Sequence, residues 1–227
     1  MQNRNKENPT ALSGVELFAG GGGLALAAKR SGLQSKGLFE IDPIACSTLL
    51  TNSKMFASFG SRPLVHNCDI KSMRKGLIPE DLDILIGGPP CQPFSQAGHK
   101  LGYEDERDLF PTFIDLVSKS RPRAFFIENV SGLMGPTCKE YFDYLLARLA
   151  FCRRRGPVPI VESQNGIVAP LRSKIFDYRV HFKVLNAADF GVPQIRKRLF
   201  IVGLRNDLAV DWSWPTATHS AESLCYD

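Results

Sequence analysis

Residues 15–32, VELFAGGGGLALAAKRSG, join a short apolar run to an Ala- and Leu-rich run through four consecutive glycines. The first run has the composition of a strand, and the second favours a helix. Bare glycine backbone can approach a ligand closely, and the amides at a helix N-terminus attract negative charge. This strand–loop–helix unit therefore predicts a site for a nucleotide-like cofactor.

Two alternatives remain open for this loop. The spacing Gly20-x-Gly22-x-x-Ala25 also fits the dinucleotide-binding fingerprint, and Glu40 follows 20 residues after Gly20. A carboxylate at that place can bind ribose hydroxyls in either kind of cofactor, so a nicotinamide-dependent dehydrogenase is a rival interpretation. The glycines can also serve only a tight turn between strand and helix.

The rest of the chain predicts an α/β fold. From Val15 to Leu204, short β-branched or aromatic runs alternate with segments of helical period. This alternation favours a mainly parallel twisted sheet with helices on both faces. The predicted strands span residues 15–19, 36–41, 64–66, 83–87, 124–128, 179–185 and 199–204. The predicted helices span residues 24–31, 43–51, 105–118 and 139–151, and the apolar stripes of the last two are expected in the core.

The composition narrows the class of protein. The chain has 227 residues, 44% of them hydrophobic, which suits one sizeable core, and its net charge of +5 suits an anionic partner. Its six cysteines include no Cys-x-x-Cys pair, so we expect no metal site and no disulfide framework. No run approaches the ~18 apolar residues of a membrane span, and the start MQNRNKENPT has no apolar signal core. We therefore expect an intracellular protein, cytoplasmic or nucleoid-associated.

Residues 83–100, DILIGGPPCQPFSQAGHK, contain a candidate nucleophile. The apolar residues 84–86 predict a buried strand, and Cys91 follows its carboxyl end, where ligands bind in open α/β sheets. Two prolines before it restrict the backbone and would present the thiol on a constrained loop. The cysteines inside or beside helices are expected instead in the core, as is usual for this residue: Cys46, Cys138 and Cys152.

Seven short segments carry a family resemblance: FAGGGGL (18–24), FEID (39–42), CDI (68–70), GGPPCQPFSQAG (87–98), RDLF (107–110), FIENV (126–130) and NAADFGVPQIRKR (186–198). In these segments, and in their order, the chain resembles the cytosine C5 DNA methyltransferases. The resemblance implies a Rossmann-like methyltransferase fold. It also implies transfer of a methyl group from S-adenosylmethionine to C5 of cytosine, and it disfavours the dehydrogenase interpretation.

The resemblance assigns roles in this chemistry. Cytosine C5 is a poor nucleophile, so the family first adds a thiolate to C6, and here that thiolate is Cys91. Glu128, a carboxyl at the tip of an apolar strand, would act at N3 and must carry or share a proton to do so. The alternative interpretation is that Glu128 is a helix cap or a surface charge. Arg198 would bind cytosine O2 and orient Glu128. The supporting and substrate residues implied are Pro90, Asn129, Arg196, Gln92, Ser95, Gln96 and Gln194.

The resemblance also implies a pocket for S-adenosylmethionine, whose product is S-adenosylhomocysteine. Phe18 would stack near the adenine, and Glu40 would bind the ribose. Asp69 would accept from the adenine amino group, although it can equally be a strand-end turn residue. The other pocket residues implied are Ala19, Gly20, Gly22, Gly23, Leu24, Ile41, Ile70, Pro90 and Leu109.

The predicted organisation is one catalytic domain at residues 14–210, after a tail at residues 1–13. An insertion is expected at residues 153–174, where it could dock a partner, and a linker begins at residues 211–227. Members of the family continue into a target recognition region and closing segments that the resemblance does not find here. We therefore expect a split enzyme with a second subunit, a truncated chain or a gene fragment, and weak or no turnover by the chain alone.

The expected substrate is double-stranded DNA with one cytosine flipped out of the stack, in restriction-modification or genome marking. Two rivals remain: cytosine C5 methylation of RNA, and a non-catalytic binding or regulatory subunit. The presence of Cys91, Glu128 and Arg198 together disfavours the second rival, because a binding module would not need all three.

Overall fold

The computed structural model describes residues 11–58, 60–74, 76–80, 82–90, 108–154, 156–158, 161–164, 167–170 and 177–220. The chain divides into two compact units. The first comprises Met1–Pro89 and Pro111–Phe126, and the second comprises Pro90–Phe110 and Ile127–Asp227. Within the described ranges, no helix is both long enough and apolar enough to cross a membrane.

The first unit is built from parallel strands and the helices that connect them. Its strands lie in the order β3, β2, β1, β4, followed by the start of β5, and β1 pairs in parallel with both β2 and β4, as does β2 with β3. The predicted α/β class is confirmed. The elements are β1 (Ser13–Leu17), α1 (Gly23–Arg30), β2 (Gln34–Glu40), α2 (Pro43–Thr51), β3 (Leu64–Asn67), β4 (Ile84–Gly87), α3 (Phe110–Ser120) and β5 (Ala124–Val130).

Helices pack against both faces of this sheet. A Cβ added to Gly14 would lie 2.6 Å from the side chain of Leu33, which follows α1. On the opposite face, a Cβ added to Gly87 would lie 2.9 Å from the ring of Phe113 in α3. That ring also packs edge-on against Phe125, with ring centroids 6.4 Å apart. Glycine at these positions allows the helices to approach the strands closely.

Asp83 ties the amino ends of three strands together. Its carboxylate accepts hydrogen bonds from the backbone N–H and the hydroxyl of Ser13, at 2.8 and 3.1 Å, and pairs with Arg123 at 3.0 Å. Burial alone would raise the pKa of Asp83, but the hydrogen bonds from Ser13 and Arg123, with the charge of Arg123, lower it. The contacts link the starts of β1, β4 and β5.

The second unit contains antiparallel strands and one long helix with a buried apolar face. Strand β5 lies beside β9, followed by β8, β7 and β6, and the pairs from β9 to β6 are antiparallel. The predicted apolar stripe of α4 is confirmed, because all four of its residues are buried. The remaining elements are α4 (Lys139–Ala150), β6 (Val161–Gln164), β7 (Ile167–Pro170), β8 (Tyr178–Asn186) and β9 (Lys197–Arg205). The stripe consists of Phe142, Leu145, Leu146 and Leu149.

Two predicted boundaries were wrong for local reasons. Strand β1 ends at Leu17 instead of residue 19, because Phe18 adopts a positive φ of 58° that no strand allows. Helix α3 begins at Phe110, later than predicted, because Asp108 accepts a hydrogen bond from the Phe110 N–H at 3.0 Å and caps the helix. Residues 105–107 of the predicted helix lie outside the described residues.

The predicted insertion at residues 153–174 contains a hairpin that the sequence reading missed. Strands β6 and β7 pair with each other, and β7 pairs with β8. The dipeptide Asn165-Gly166 lies between the two strands in the sequence, and Asn-Gly is a strong hairpin signal. That signal could have revealed the hairpin.

The prediction that Cys46, Cys138 and Cys152 belong to the core is confirmed, since each is at most 5% exposed.

Glu16 places a carboxyl group inside the first unit. It lies in the middle of β1, is 3% exposed, and has one carboxyl oxygen without a hydrogen-bond partner among the described residues. Burial raises the pKa of Glu16 from its ordinary 4.5 to about 8. The folded chain therefore keeps this carboxyl largely protonated at neutral pH.

This pKa predicts a stability that falls as pH rises. The unfolded chain releases the proton near pH 4.5 and the folded chain near pH 8, so the folded state binds more protons between these values. The free energy of unfolding should decrease by up to about 1.4 kcal/mol per pH unit across that window. In Glu16→Gln this contribution should vanish. Urea denaturation of both proteins at several pH values tests it, and parallel pH profiles would contradict it.

Candidate functional site

The loop between β1 and α1 is held in an unusual conformation. Phe18, Gly20 and Gly22 all have positive φ angles, of 58°, 52° and 90°. For a bulky residue such as Phe18 this costs about 1–3 kcal/mol, and such strain is concentrated at functional sites. Gly22 precedes α1, and a Cβ there would lie 2.5 Å from Phe56 and 2.8 Å from Leu49. The close packing therefore requires glycine at this position.

Glu40, at the end of β2, joins this loop to the next one. Its carboxylate accepts hydrogen bonds from three backbone N–H groups, those of Gly20 at 2.7 Å, Ile41 at 2.8 Å and Asp42 at 2.9 Å. A carboxylate offers about four acceptor positions, so about one remains for a ligand hydroxyl. Glu40 therefore holds the glycine loop in its conformation and keeps about one acceptor position beside it.

Asp69 and Asn67 organise the end of the neighbouring strand. Asp69 accepts a hydrogen bond from the Lys71 N–H at 2.9 Å and caps a short 3-10 helix, Ile70–Ser72, which is the turn role that the sequence left open. The Asn67 amide donates to the carbonyls of Glu40, at 3.2 Å, and Ile41, at 2.8 Å. The sequence did not lead us to predict this role for Asn67. The only sequence feature that points to it is a polar side chain at a strand end, beside the CDI segment.

The glycine loop has room beside its backbone. A Cβ added to Gly20, Gly21 or Gly23 would meet nothing within 4 Å, so open space borders this backbone. Ile41 is 63% exposed next to Glu40, and an exposed apolar side chain there suits an aromatic base. The described ranges contain no group of three or more His, Cys, Asp or Glu residues that could hold a metal ion.

In the second unit, the structure brings Glu128 and Arg198 together. The Nε atom of Arg198 at the start of β9 lies 3.0 Å from the Oε1 atom of Glu128 in β5, and both side chains are 26% exposed. The Arg198 Nη1 group also donates to the Lys197 carbonyl at 2.9 Å. These contacts use two of the five guanidinium N–H donors. The pair is thus oriented but open to a ligand.

Asn129 and Arg196 lie next to this pair in the sequence and are held by backbone contacts. Asn129 is 7% exposed, and its amide oxygen accepts from the Val130 N–H at 2.8 Å. The Arg196 N–H donates to the side chain of Asn186 at 3.0 Å, and Asn186 in turn donates to Asp189 at 3.2 Å. Asn186 was missed as a supporting residue, although it opens the segment that carries Arg198.

Other predicted site residues occupy varied surroundings. Gln194 is exposed, as is Pro90, and Leu109 is half-buried; all three belong to the second unit. In the first unit, Ala19 and Ile70 are buried and Leu24 is half-buried. The remaining predictions concern residues outside the described ranges: Cys91, Gln92, Ser95 and Gln96.

Curated relatives match nearly the whole chain. The chain is 34% identical over 204 residues to the type II methyltransferase M.NgoMIV of Neisseria gonorrhoeae, covering 90% of this chain and 55% of the relative. It is 32% identical over 213 residues to M.AquIA of Picosynechococcus sp., covering 90% of this chain and 76% of the relative. The chain thus spans about half the length of M.NgoMIV and of M.NaeI, of which it covers 45%.

Solved structures share the fold. A crystal structure described as a candidate DNA modification methyltransferase from an E. coli prophage has a TM-score of 0.64 and 28% identity, covering 89% of this chain and 49% of that one. The S. pombe Dnmt2 methyltransferase, at 20% identity, shares the fold with a TM-score of 0.58 over 88% of this chain and 53% of its own. The family model for C-5 cytosine-specific DNA methylases matches residues 12–153 and 162–224. The chain therefore belongs to the C-5 cytosine-specific DNA methylase family.

Proposed function

We propose that the chain is the catalytic portion of a type II enzyme that methylates C5 of cytosine in DNA through a covalent bond between Cys91 and C6. The observation that carries the proposal is the 3.0 Å contact between Arg198 and Glu128. It joins two of the segments that resemble the family, from strands far apart in the sequence. The membership of the chain in the family supports the same reaction.

The nucleophile in this proposal is the thiolate of Cys91. A bond forms between its sulfur and C6 of the base, and the π electrons move through C5 and C4 on to N3. C5 thereby becomes an enamine carbon that can attack an electrophile. After methylation, loss of the C5 proton to a base and cleavage of the C6–S bond restore the thiolate and the aromatic ring.

Glu128 and Arg198 stabilise the electron density that arrives at N3. Glu128, when it carries or shares a proton, donates a hydrogen bond to N3, and Arg198 has N–H donors left for cytosine O2. The ion pair places the two groups side by side before the base enters. Little reorganisation is then needed during the reaction.

The residues that would hold S-adenosylmethionine lie at the strand ends of the first unit. The open backbone of the glycine loop faces the cofactor, Glu40 has an acceptor position for a ribose hydroxyl, and exposed Ile41 supports the adenine. The ring of Phe18 is a further member of the proposed pocket in this unit. S-adenosylmethionine, when bound, supplies the electrophilic methyl group.

DNA would present one flipped cytosine, because C6 cannot be reached within the base stack. The segment before Arg198 is suited to the DNA backbone, since Gln194 and Arg196 are exposed and Ile195 is 79% exposed. Ser95 and Gln96 are proposed as further contacts. The part of the relatives that this chain does not match would supply target recognition, and we propose that a second polypeptide supplies it here.

The covalent step can be trapped. DNA duplexes with 5-fluorocytosine in varied sequence contexts block the final loss of the C5 substituent, so an adduct through Cys91 should accumulate. The chain is mixed with S-adenosylmethionine and a complementing polypeptide, the unmatched remainder of M.NgoMIV. Gel electrophoresis and mass spectrometry should show the adduct, absent in Cys91→Ser and retained in the buried control Cys138→Ala. An adduct on RNA alone would refute DNA as the substrate, and adducts on neither nucleic acid would refute the proposed reaction.

The proposed role of Glu128 as the acid at N3 can be tested separately. Glu128→Gln keeps the size of the side chain but removes its proton donor and its charge for Arg198. We expect adduct formation to slow by roughly 10²–10⁴-fold, with S-adenosylmethionine affinity unchanged. The exposed Glu140 in α4 offers a matched control, Glu140→Gln, which should react at the original rate. An unchanged rate in Glu128→Gln would show that the carboxyl has no part in the chemistry.

Cofactor binding should depend on Glu40. In Glu40→Gln an amide NH2 group replaces one acceptor oxygen. This donor then lies against the backbone N–H donors of Gly20 or of Ile41 and Asp42, and the contact is unfavourable. We expect the affinity for S-adenosylmethionine to fall about ten-fold or more, because the loop loses its acceptor. Isothermal titration calorimetry measures this with Glu140→Gln as control. Equal affinities for Glu40→Gln and the unchanged chain would contradict the proposed pocket.

A further inference from the structure

The segment that follows β9 is fastened to the second unit. Residues 208–219, which we call the strap, form neither helix nor strand. The Nη2 group of Arg179, near the start of β8, donates hydrogen bonds to the carbonyls of Leu208 and Val210, each at 2.7 Å. The first half of the strap is thus held beside the start of β8.

The other end of the strap binds the loop between β8 and β9. The backbone N–H groups of Thr218 and His219 both donate to the carbonyl of Asp189, at 2.9 and 3.1 Å. The His219 ring packs against Gly191, where an added Cβ would come within 2.8 Å of the ring atom Cε1. The hydroxyl of Thr218 is hydrogen-bonded to the Nδ1 atom of that ring at 2.9 Å. Backbone and side chain therefore both join this end of the strap to the loop.

The strap spans the length of β8. At about 3.3 Å per residue, Arg179 and Asn186 lie about 23 Å apart along this strand. The chain between Val210 and Thr218 can reach at most about 29 Å when it is fully extended. The strap must therefore be largely extended, and an extended connection holds its far end within a small range of positions.

The loop that the strap binds leads directly to Arg198. At its base, the side-chain oxygen of Asn186 accepts from the Arg196 N–H, and the Ala187 N–H donates to the Arg196 carbonyl, both at 3.0 Å. Residues 191–197 are all exposed, so little of the unit packs against their side chains. The strap therefore supports the outer part of a loop whose base alone is tied to the sheet.

Arg198 needs such support in the proposed reaction. Both side chains of its ion pair with Glu128 are 26% exposed, and exposed pairs of this kind are too weak to fix a loop. The guanidinium must nevertheless meet O2 of a base that enters from solution. A catalytic group that moves by about 1 Å can slow a reaction by about 10²-fold. Contacts that hold the loop therefore affect the rate as well as the stability.

We propose that Thr218 and His219 are positioning residues for Arg198, because the strap holds the loop between β8 and β9 so that the guanidinium stays beside Glu128 and faces the entering cytosine. The inference rests on the proposed function in one respect, namely that Arg198 acts on cytosine. In this role neither strap residue touches the base. His219 acts by packing on Gly191, and the Thr218 hydroxyl orients its ring.

The first test reads the ion pair in the free chain. In a 15N spectrum the Nε–H signal of Arg198, identified by its loss in Arg198→Lys, reports the contact with Glu128 and moves in Glu128→Gln. His219→Ala removes the ring, and His219→Pro also removes a backbone donor of the strap. We expect the Arg198 signal to shift towards its position in Glu128→Gln, and to shift further in His219→Pro than in His219→Ala.

Matched threonine variants test the hydroxyl. Thr218→Val removes the group that orients the His219 ring but keeps the shape of the side chain. We expect it to move the Arg198 signal in the same direction as His219→Ala, by a smaller amount. Thr216→Val makes the same change at another exposed position of the strap and should leave the signal in place.

A third set tests whether the ring acts by packing. His219→Phe keeps a ring over Gly191 and should keep the Arg198 signal. Gly191→Ala puts a methyl group against the ring and should shift the signal. This variant also strains the positive φ of 86°, with or without the ring. In the double variant Gly191→Ala and His219→Ala the methyl meets no ring, so we expect less than the sum of the two single effects.

The rate of the covalent step supplies a readout that a merely structural role would not move. The probe is the 5-fluorocytosine duplex with S-adenosylmethionine and the unmatched remainder of M.NgoMIV. We expect His219→Ala to slow adduct formation about ten-fold or more at saturating DNA, with the affinity for S-adenosylmethionine unchanged, and His219→Phe to keep the rate. Tryptophan emission comes only from Trp212 and Trp214 and should stay unchanged, as a control for folding.

Three results would overturn the proposal. The first is an Arg198 signal that both His219→Ala and His219→Pro leave in place. The second is a slower adduct rate in His219→Ala with that signal unmoved, which would make His219 a direct substrate contact. The third is a lower thermal stability of His219→Ala with its adduct rate unchanged. The expected signal shifts in the free chain, without any adduct from the unchanged chain, would support the role of the strap and count against the proposed reaction alone.

Discussion

Three backbone N–H groups converge on the carboxylate of Glu40, and the arrangement of the first unit around its glycine loop depends on that convergence. The Gly20 donor belongs to the loop after β1, and the Ile41 and Asp42 donors belong to the loop after β2. One charged group therefore connects two loops that parallel pairing brings to the same edge of the sheet. The strained φ of Phe18 is maintained within this network, next to the close packing of Gly22.

The pair formed by Glu128 and Arg198 has a different significance. Both side chains are about a quarter exposed, and ion pairs of this kind contribute roughly 0–1 kcal/mol to stability. A contribution to stability therefore explains the ion pair between Glu128 and Arg198 only weakly. Its geometry is more informative, because it fixes a carboxyl and a guanidinium side by side while leaving guanidinium donors available. That arrangement suits recognition of a base edge.

Glu16 shows the opposite balance. Its burial raises its pKa to about 8 and leaves one oxygen unsatisfied among the described residues, so the carboxyl lowers the stability of the chain by itself. The same residue faces the side of the sheet where β4 and β5 border an apolar groove.

The sequence by itself determined the α/β class, most strands and helices, the core stripe of α4 and the family, because hydrophobic period and short motifs are local properties. It also named Glu128 and Arg198 as partners, through the resemblance. Only the tertiary structure decided that β1 ends before Phe18, that Glu40 is bound by three N–H groups, that Asn67 and Asn186 support the loops, and that Glu16 is buried without a full set of partners among the described residues. These features depend on which strands lie side by side and what covers each face, and such contacts join residues far apart in the chain.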